Sequence, residues 1–222
     1  MSYWETYWNT SAKNKSLLEQ VQRNTEDSNA ILLLIEEHIK TLLQLKYSDC
    51  LLDVCCGNGI VTKSLSKHCK STEGIDFSPQ LIKNAKLSNS SSTIKYSVGD
   101  ATRLAEHTEK KFDKIVLYFS FQYFSYDDGL KVVSEMKKLL NPNGIILLGD
   151  IPDRKFFWNY YNTFPKRFFY FKQRLFNQPK MGKFWSEKEM NKIAEATNLK
   201  GVFLKQNKNL PHWQYRFDFL LH

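Results

Sequence analysis

The sequence predicts an α/β protein built on a doubly wound, mostly parallel sheet. Three observations carry that expectation. Five short, nearly continuous apolar segments recur along the first two thirds of the chain, amphipathic stretches of helical period separate them, and glycine or aspartate falls where four of the five end. Strands buried on both faces read as unbroken apolar runs, and helices between them supply the crossovers of a parallel sheet.

The elements follow in order. Apolar residues Ile31, Leu34, Ile35, Ile39, Leu42 and Leu43 lie on one face of a leading helix over 27–46. LLDVC (Leu51 to Cys55) is the first strand, followed by Gly57, Gly59 and a helix through Ser64 to Lys67. EGIDF (Glu73 to Phe77) is the second, and Ser78 with Pro79 after it gives an N-cap and a proline at the first helical position. IKYSV (Ile94 to Val98) is the third and DKIVLYFSF (Asp113 to Phe121) the fourth. A helix carrying Val132, Val133, Met136, Leu139 and Leu140 stops at Pro142 and the Asn143-Gly144 turn. IILLGD (Ile145 to Asp150) is the fifth strand. The segment 151–182 is rich in aromatics, Lys and Arg and holds Pro152, Pro165 and Pro179, which predicts irregular helices inserted between sheet elements. Ser186 and Glu189 form a capping box for a last helix through Ala196. Strands over 201–206 and 213–221 close the chain.

At 222 residues, 42% hydrophobic and 25% charged, the chain has the length and balance of one globular domain, 1–222. Within it, 1–46 is an N-terminal helical cap, 51–150 a core, 151–185 a lid insertion and 186–222 the last helix and closing strands. No secretory leader or apolar run of membrane-spanning length is legible, so the expected setting is cytoplasmic. Cys50, Cys55, Cys56 and Cys69 show no C-x-x-C pairing or partnered histidines, so neither a disulfide framework nor a metal site is expected. The net charge is +9, from 32 basic and 23 acidic residues, and 154–183 holds eight basic residues with no acidic one. Such a surface suits an anionic small molecule, nucleic acid or an acidic membrane face, or is simply solvated. Oligomeric state is not legible.

The chemistry concentrates in Asp53, Gly57 and Gly59, then Asp76, then Asp100, each at the C-terminal end of a strand. Ligands of doubly wound sheets bind outside that edge. Asp76 is placed to accept from a ribose diol and Asp100 from an exocyclic amine such as that of adenine. A nicotinamide dinucleotide site is disfavoured, because Thr62 stands where the third glycine of that fingerprint belongs.

Over about 51–150 the chain resembles the class I S-adenosylmethionine-dependent methyltransferases. The likeness rests on Asp53 to Gly59 (DVCCGNG, with Cys55 at the usual first glycine), Asp76, FDKIVLYFSFQYF (Phe112 to Phe124) and LLNPNGIILLGD (Leu139 to Asp150). It implies a Rossmann-like sheet of seven strands with an antiparallel last strand. It further implies S-adenosyl-L-methionine as cofactor and S-adenosyl-L-homocysteine as product. Gly57 and Gly59 would flank the methionine moiety and Asp53 orient its amino group. Asp76, with Phe77 beside it, would hold the ribose, and Asp100 with Ala101 the adenine. Tyr118, at the fourth strand's end, belongs to the same expected cofactor set. Trp4, Tyr7 and Trp8 would either cap a sulfonium, whose positive charge favours aromatic faces, or simply anchor the N-terminus.

Methyl transfer to oxygen needs a proton acceptor, and a nitrogen acceptor must arrive neutral. Asp150, ending the fifth strand, and His212, expected at the same edge before the last strand, are the candidate catalytic groups. Gln122, Tyr123, Arg154, Tyr160, Tyr161 and Arg167 are the candidate substrate contacts, with Lys166 beside them. A small-molecule acceptor is the leading expectation, first a sugar or nucleotide sugar, then a quinone or other aromatic. RNA or protein methylation is the alternative that the charge supports, although no Asn-Pro-Pro-aromatic motif follows the fourth strand. A silent cofactor-binding domain is the other alternative.

Overall fold

The computed structural model describes all residues except 1–2, 14–15, 22–27 and 176–180. Seven strands form one sheet: β1 (Cys50–Val54), β2 (Ser71–Asp76), β3 (Ile94–Val98), β4 (Phe112–Tyr118), β5 (Leu140–Pro152), β6 (Gly201–Lys205) and β7 (Arg216–Leu221). Their order is β3-β2-β1-β4-β5-β7-β6, with β7 antiparallel to both neighbours and β1 to β5 mutually parallel. The doubly wound sheet and the antiparallel last strand are as expected.

Alternation along each strand sends side chains into two separate cores. Leu52, Val54, Ile115, Leu117, Ile146 and Leu148 face one core, which the helices α6 (Tyr126–Leu139) and α9 (Glu187–Ala196) cover. Leu51, Val116, Tyr118 and Leu147 face the other, under α3 (Ser28–Leu43) and α4 (Ile60–Ser66). Helix α5 (Pro79–Ser88) packs Ile82 and Ala85 against Tyr96 of β3 and Cys56. Ser78 caps α5 and the Ser186–Glu189 capping box opens α9, both as the sequence predicts.

Several boundaries differ. The fourth strand stops at Tyr118 rather than Phe121, because Phe119 turns into the left-handed region (φ 69°) and 121–123 forms a 3-10 turn. The last strand begins at Arg216 rather than Trp213, since 213–215 forms another such turn. The leading helix runs Ser28–Leu43, and its expected start at Asp27 lies outside the described residues. Two short helices precede it, α1 (Tyr3–Ser11) and α2 (Leu17–Gln20).

The insertion after β5 carries a 3-10 turn at 154–156, α7 (Phe157–Tyr160) and α8 (Phe164–Leu175). It returns to the sheet through Trp185, whose N–H donates to the Pro152 carbonyl at 2.8 Å. The indole is fully buried, stacks on Phe121 at 4.7 Å and donates from Nε1 to the Phe121 carbonyl. Gly129 of α6 makes room for it, since a Cβ there would lie 2.9 Å from the indole. Trp185 therefore fastens the lid to the core. Trp185→Ala is expected to cost about 3–5 kcal/mol of stability, read as a lower urea midpoint at unchanged slope; a loss below ~1 kcal/mol would contradict this role.

Candidate functional site

The parallel register brings the carboxyl ends of β1, β2 and β3 side by side. Asp53 is level with Gly74, and Asp76 with Val98, one step before Gly99 and Asp100. The chain leaves β1 through Cys55 (φ 60°), Gly57 (φ 58°) and Gly59 (φ 76°), a sequence of left-handed residues that turns it sharply into α4. Asp53, buried, accepts from Thr62 Oγ1 at 2.6 Å. Asp76, also buried, accepts from the Gly57 N–H on Oδ2 and the Ser78 N–H on Oδ1, each at 2.9 Å. Asp100 is exposed and caps the following turn through the Thr102 N–H and hydroxyl.

This edge is electrostatically loaded. Burial raises Asp76 to about 6 despite its two backbone donors, and no basic side chain is paired with it among the described residues. Burial, then Asp76, Asp53 and Asp100, pushes the Cys55 thiol well above its ordinary value. The thiol is inert and reports three carboxylates around one point. Such a cluster suits a ligand that brings positive charge and hydroxyl donors.

The two glycines do different work. A Cβ at Gly59 would lie 2.4 Å from the Tyr96 hydroxyl, so this glycine admits the Tyr96 ring as well as its own turn. A Cβ at Gly57 would lie 3.2 Å from Val21 Cγ1. The N-terminal segment covers this loop. The fully buried Asn58 donates from Nδ2 to the Leu17 carbonyl (2.7 Å) and Gln20 Oε1 (3.0 Å). Ser78 bonds Asn9, and Asn84 donates to the Ala12 carbonyl.

Beyond the ends of β4 and β5 lies a cavity of about 710 Å³. Aromatic rings dominate its wall: Trp4, Tyr123, Phe124, Phe157, Tyr161, Tyr170 and Phe184. Gln122, Arg154, Met181 and Lys183 also line it. Trp4 stacks against Tyr123 at 4.3 Å, and Trp8 lies 5.7 Å from the same ring, so the N-terminal helix roofs the cavity beside the loop after β4. Tyr7 packs on Trp4 and Trp8. Desolvation raises the Tyr123 phenol to about 12, which keeps it a neutral donor. Arg154 and Lys183 both reach Glu189, at 3.0 and 2.9 Å, and hydrogen bonds from Lys183 and Ser186 outweigh burial to hold that carboxyl near 2.

Asp150 stands at the end of β5 in the left-handed region (φ 56°), almost wholly buried. Its Oδ2 pairs with Arg216 Nη1 at 2.7 Å and its Oδ1 accepts from Gln206 at 3.0 Å. Arg216 Nη1 also donates to Gln122 Oε1 at 3.0 Å and to the Asp150 carbonyl, and Nη2 lies 3.6 Å from Met181 Sδ. Behind them Asp218, fully buried, accepts from the Asp150 N–H and lies 2.8 Å from His38 Nε2. His212 (φ 68°) is exposed on the loop before β7; desolvation, then Arg216, lowers its pKa, outweighing Asp150.

Of the residues that the sequence singles out, Asp53, Asp76 and Asp100 converge, with Ala101 buried and Phe77 half-buried beside them. Tyr118 does not join them. Its ring sits in the α3-side core near His38 and Phe119, because period-2 alternation turns it away from the edge. Gln122, Tyr123, Arg154 and Tyr161 reach the cavity, whereas Tyr160 packs on Tyr161 and Tyr215. Arg167 donates to the Tyr161 carbonyl and lies over Trp158, outside the cavity lining. Asp150 is an ion-pair partner of Arg216 and not a free carboxylate. Sequence reasoning missed Arg216, Gln206, Asp218 and His38. The only signal was the pair Arg216 and Asp218 inside an otherwise apolar strand (RFDFLL), since buried charges are retained only with partners.

Known proteins place this architecture. Residues 52–148 match a family described as "Methyltransferase domain". A demethylmenaquinone methyltransferase of Staphylococcus aureus (strain MRSA252) is 35% identical over 100 residues, 43% of this chain and 40% of that protein. The chain thus matches less than half the length of that relative. A demethylmenaquinone methyltransferase of Staphylococcus epidermidis is 25% identical over 78% of this chain and 73% of its own length. The crystal structure of an S-adenosylmethionine-dependent methyltransferase from Clostridium acetobutylicum ATCC 824 superposes with a TM-score of 0.66 at 17% identity, covering 92% of this chain and 95% of that one. The acid-lined edge fits a cofactor with a cationic sulfonium, an ammonium and a ribose diol. The matched core and the sheet order together give one conclusion: residues 52–148 are similar to a methyltransferase-domain family and are folded like solved S-adenosylmethionine-dependent methyltransferases.

Proposed function

We propose that the chain methylates an oxygen or nitrogen on a small, flat-ring acceptor held in the cavity beyond β4 and β5. The observation that carries this reading is the lining: seven aromatic side chains surround the space, while its two cations, Arg154 and Lys183, are largely committed to Glu189. Aromatic walls stack a planar ring and exclude water, and a cavity of about 710 Å³ holds a molecule rather than a polymer. The staphylococcal relatives, whose name carries a quinone acceptor, support an aromatic ring ahead of a sugar or nucleotide sugar. A cytoplasmic setting belongs to the same proposal; among the described residues no helix is long and apolar enough to cross a membrane.

In this reading Asp76 takes the ribose hydroxyls, Asp53 the amino group, and Asp100 with Ala101 the adenine, while Gly57 and Gly59 let the backbone approach the methionine moiety. The cofactor supplies a methyl on a positively charged sulfur, so the chain's task is alignment, a dry wall and handling of the acceptor's proton. Trp4, Tyr123 and Tyr161 hold the ring, and Gln122, clamped by Arg216, fixes the cavity's inner end. The proton of a hydroxyl acceptor is assigned to His212 of the loop before β7, which stands outside the cavity lining and whose pKa desolvation and then Arg216 lower. Asp150, already paired, acts as a positioning residue that holds Arg216.

Transfer of labelled methyl from S-adenosylmethionine to separated pools of hydroxylated aromatics, nucleotide sugars, RNA and protein tests the proposal. Label in the aromatic pool is expected, with Tyr161→Ala raising KM more than it lowers kcat; label confined to nucleotide sugars, RNA or protein overturns it. For the cofactor, Asp76 offers a sign. A carboxyl raised to about 6 offers both oxygens as charged acceptors to a diol only when ionised, since protonation turns one of them into a donor, so affinity should weaken as pH falls through about 6. Asp76→Asn should lower affinity roughly 10- to 100-fold and flatten that dependence, read by calorimetry. Wild-type affinity flat between about pH 8 and about pH 5 would sink the ribose assignment. His212→Gln should reduce kcat toward a hydroxyl acceptor by about 100-fold or more with cofactor affinity unchanged; a change under about twofold removes His212 as base.

A further inference from the structure

Helix α8 inverts the usual amphipathic arrangement. Phe164, Phe168 and Phe171 recur at i, i+4 and i+7 and so form one stripe along the helix, and they are 82%, 64% and 60% exposed. Tyr170, roughly opposite the stripe at 3.6 residues per turn, packs inward on Phe157 (5.2 Å) and Tyr161 (4.9 Å) and lines the cavity. Trp158, 51% exposed, extends the apolar surface from α7. A helix on a globular domain normally turns its polar side to water; here the outward side carries phenylalanine.

The charge around the stripe says what covers it. Arg167 and Lys172 flank it on either side in helical projection, both exposed. From Arg154 to Lys183 there are eight basic residues and no acidic one. An apolar stripe bordered by cations is the pattern of a helix lying in the headgroup region, its aromatic side sunk about 5–10 Å and its cations on anionic lipid. A second copy of the chain would bring two basic borders together, which charge disfavours. A single-stranded nucleic acid needs stacking platforms set along a charged groove, not continuous hydrocarbon along one helix.

We propose that α8, with Trp158, docks this enzyme peripherally onto an anionic phospholipid surface. The same helix then serves two purposes, lying in the interface on its phenylalanine side and walling the acceptor cavity on its Tyr170 side.

Co-sedimentation of the full chain with vesicles tests this, comparing phosphatidylcholine alone with phosphatidylcholine mixed with phosphatidylglycerol, at low and high salt. Binding only to the mixed vesicles, weakened by salt, is expected. Phe168→Ser/Phe171→Ser should weaken it by about tenfold or more and Lys172→Glu by several-fold, with cofactor affinity and far-UV circular dichroism unchanged. If the double variant does not fold, Lys172→Glu carries the test alone. No binding to mixed vesicles, equal binding to both kinds, or binding indifferent to a folded variant overturns the proposal. So does tighter binding to a single-stranded oligonucleotide that the same substitutions abolish, or a lipid-free dimer, seen by ultracentrifugation, that they dissociate.

Discussion

The buried pair between Asp150 and Arg216 is the constraint on which the acceptor side of the molecule depends. It joins the end of β5 to the start of β7, where the antiparallel strand enters the sheet, and the same guanidinium reaches Gln122 after β4 and Met181 at the lid's return. One cation thus holds three segments distant in sequence. A buried pair gains little over a well-packed apolar substitute, whereas loss of one partner strands a charge at a cost of about 3–5 kcal/mol. Its value lies in uniqueness of position: Asp150 is held at positive φ between Arg216, Gln206 and the Asp218 carboxylate, and Asp218 is in turn held by His38 of α3.

The cofactor side works by the opposite logic. Asp53, Asp76 and Asp100 all bear on the Cys55 thiol, and burial raises Asp76 to about 6 despite its two backbone donors. At neutral pH that burial opposes folding, because the desolvated carboxylate is less stable in the folded chain than in water. A chain tolerates such an arrangement where a ligand's positive charge and hydroxyls complete it. The N-terminal segment closes over this loop through Asn58, Ser78 and Asn84, and its helix α1 also roofs the acceptor cavity, so one cover spans both halves of the site.

The fold was largely legible in the sequence because a parallel sheet writes itself locally. Apolar runs, helical periods, Ser78-Pro79 and the Ser186–Glu189 box each act within a few residues. The edge of glycines and carboxylates was legible for the same reason: a glycine or acid at a strand's end falls on the same edge of the sheet whichever parallel strand carries it. Strand ends were less legible where aromatic runs continued past them. Phe119 to Phe121 read as strand in pattern, yet Phe119 adopts the left-handed region and the chain turns.

What the sequence by itself determined, then, is the sheet, its helical cover and the carboxylate edge, all set by short-range patterning and by the geometry of parallel strands. Only the tertiary structure decided that Trp4 and Tyr123 join the lid's rings around one cavity, and that Asp150 answers to Arg216 rather than standing as a free base. Those outcomes depend on residues 60 or more positions apart meeting in space, as Arg216 meets Asp150 at a separation of 66. Periodicity carries no information about such meetings; they follow from strand order and from the need of each buried charge for a partner.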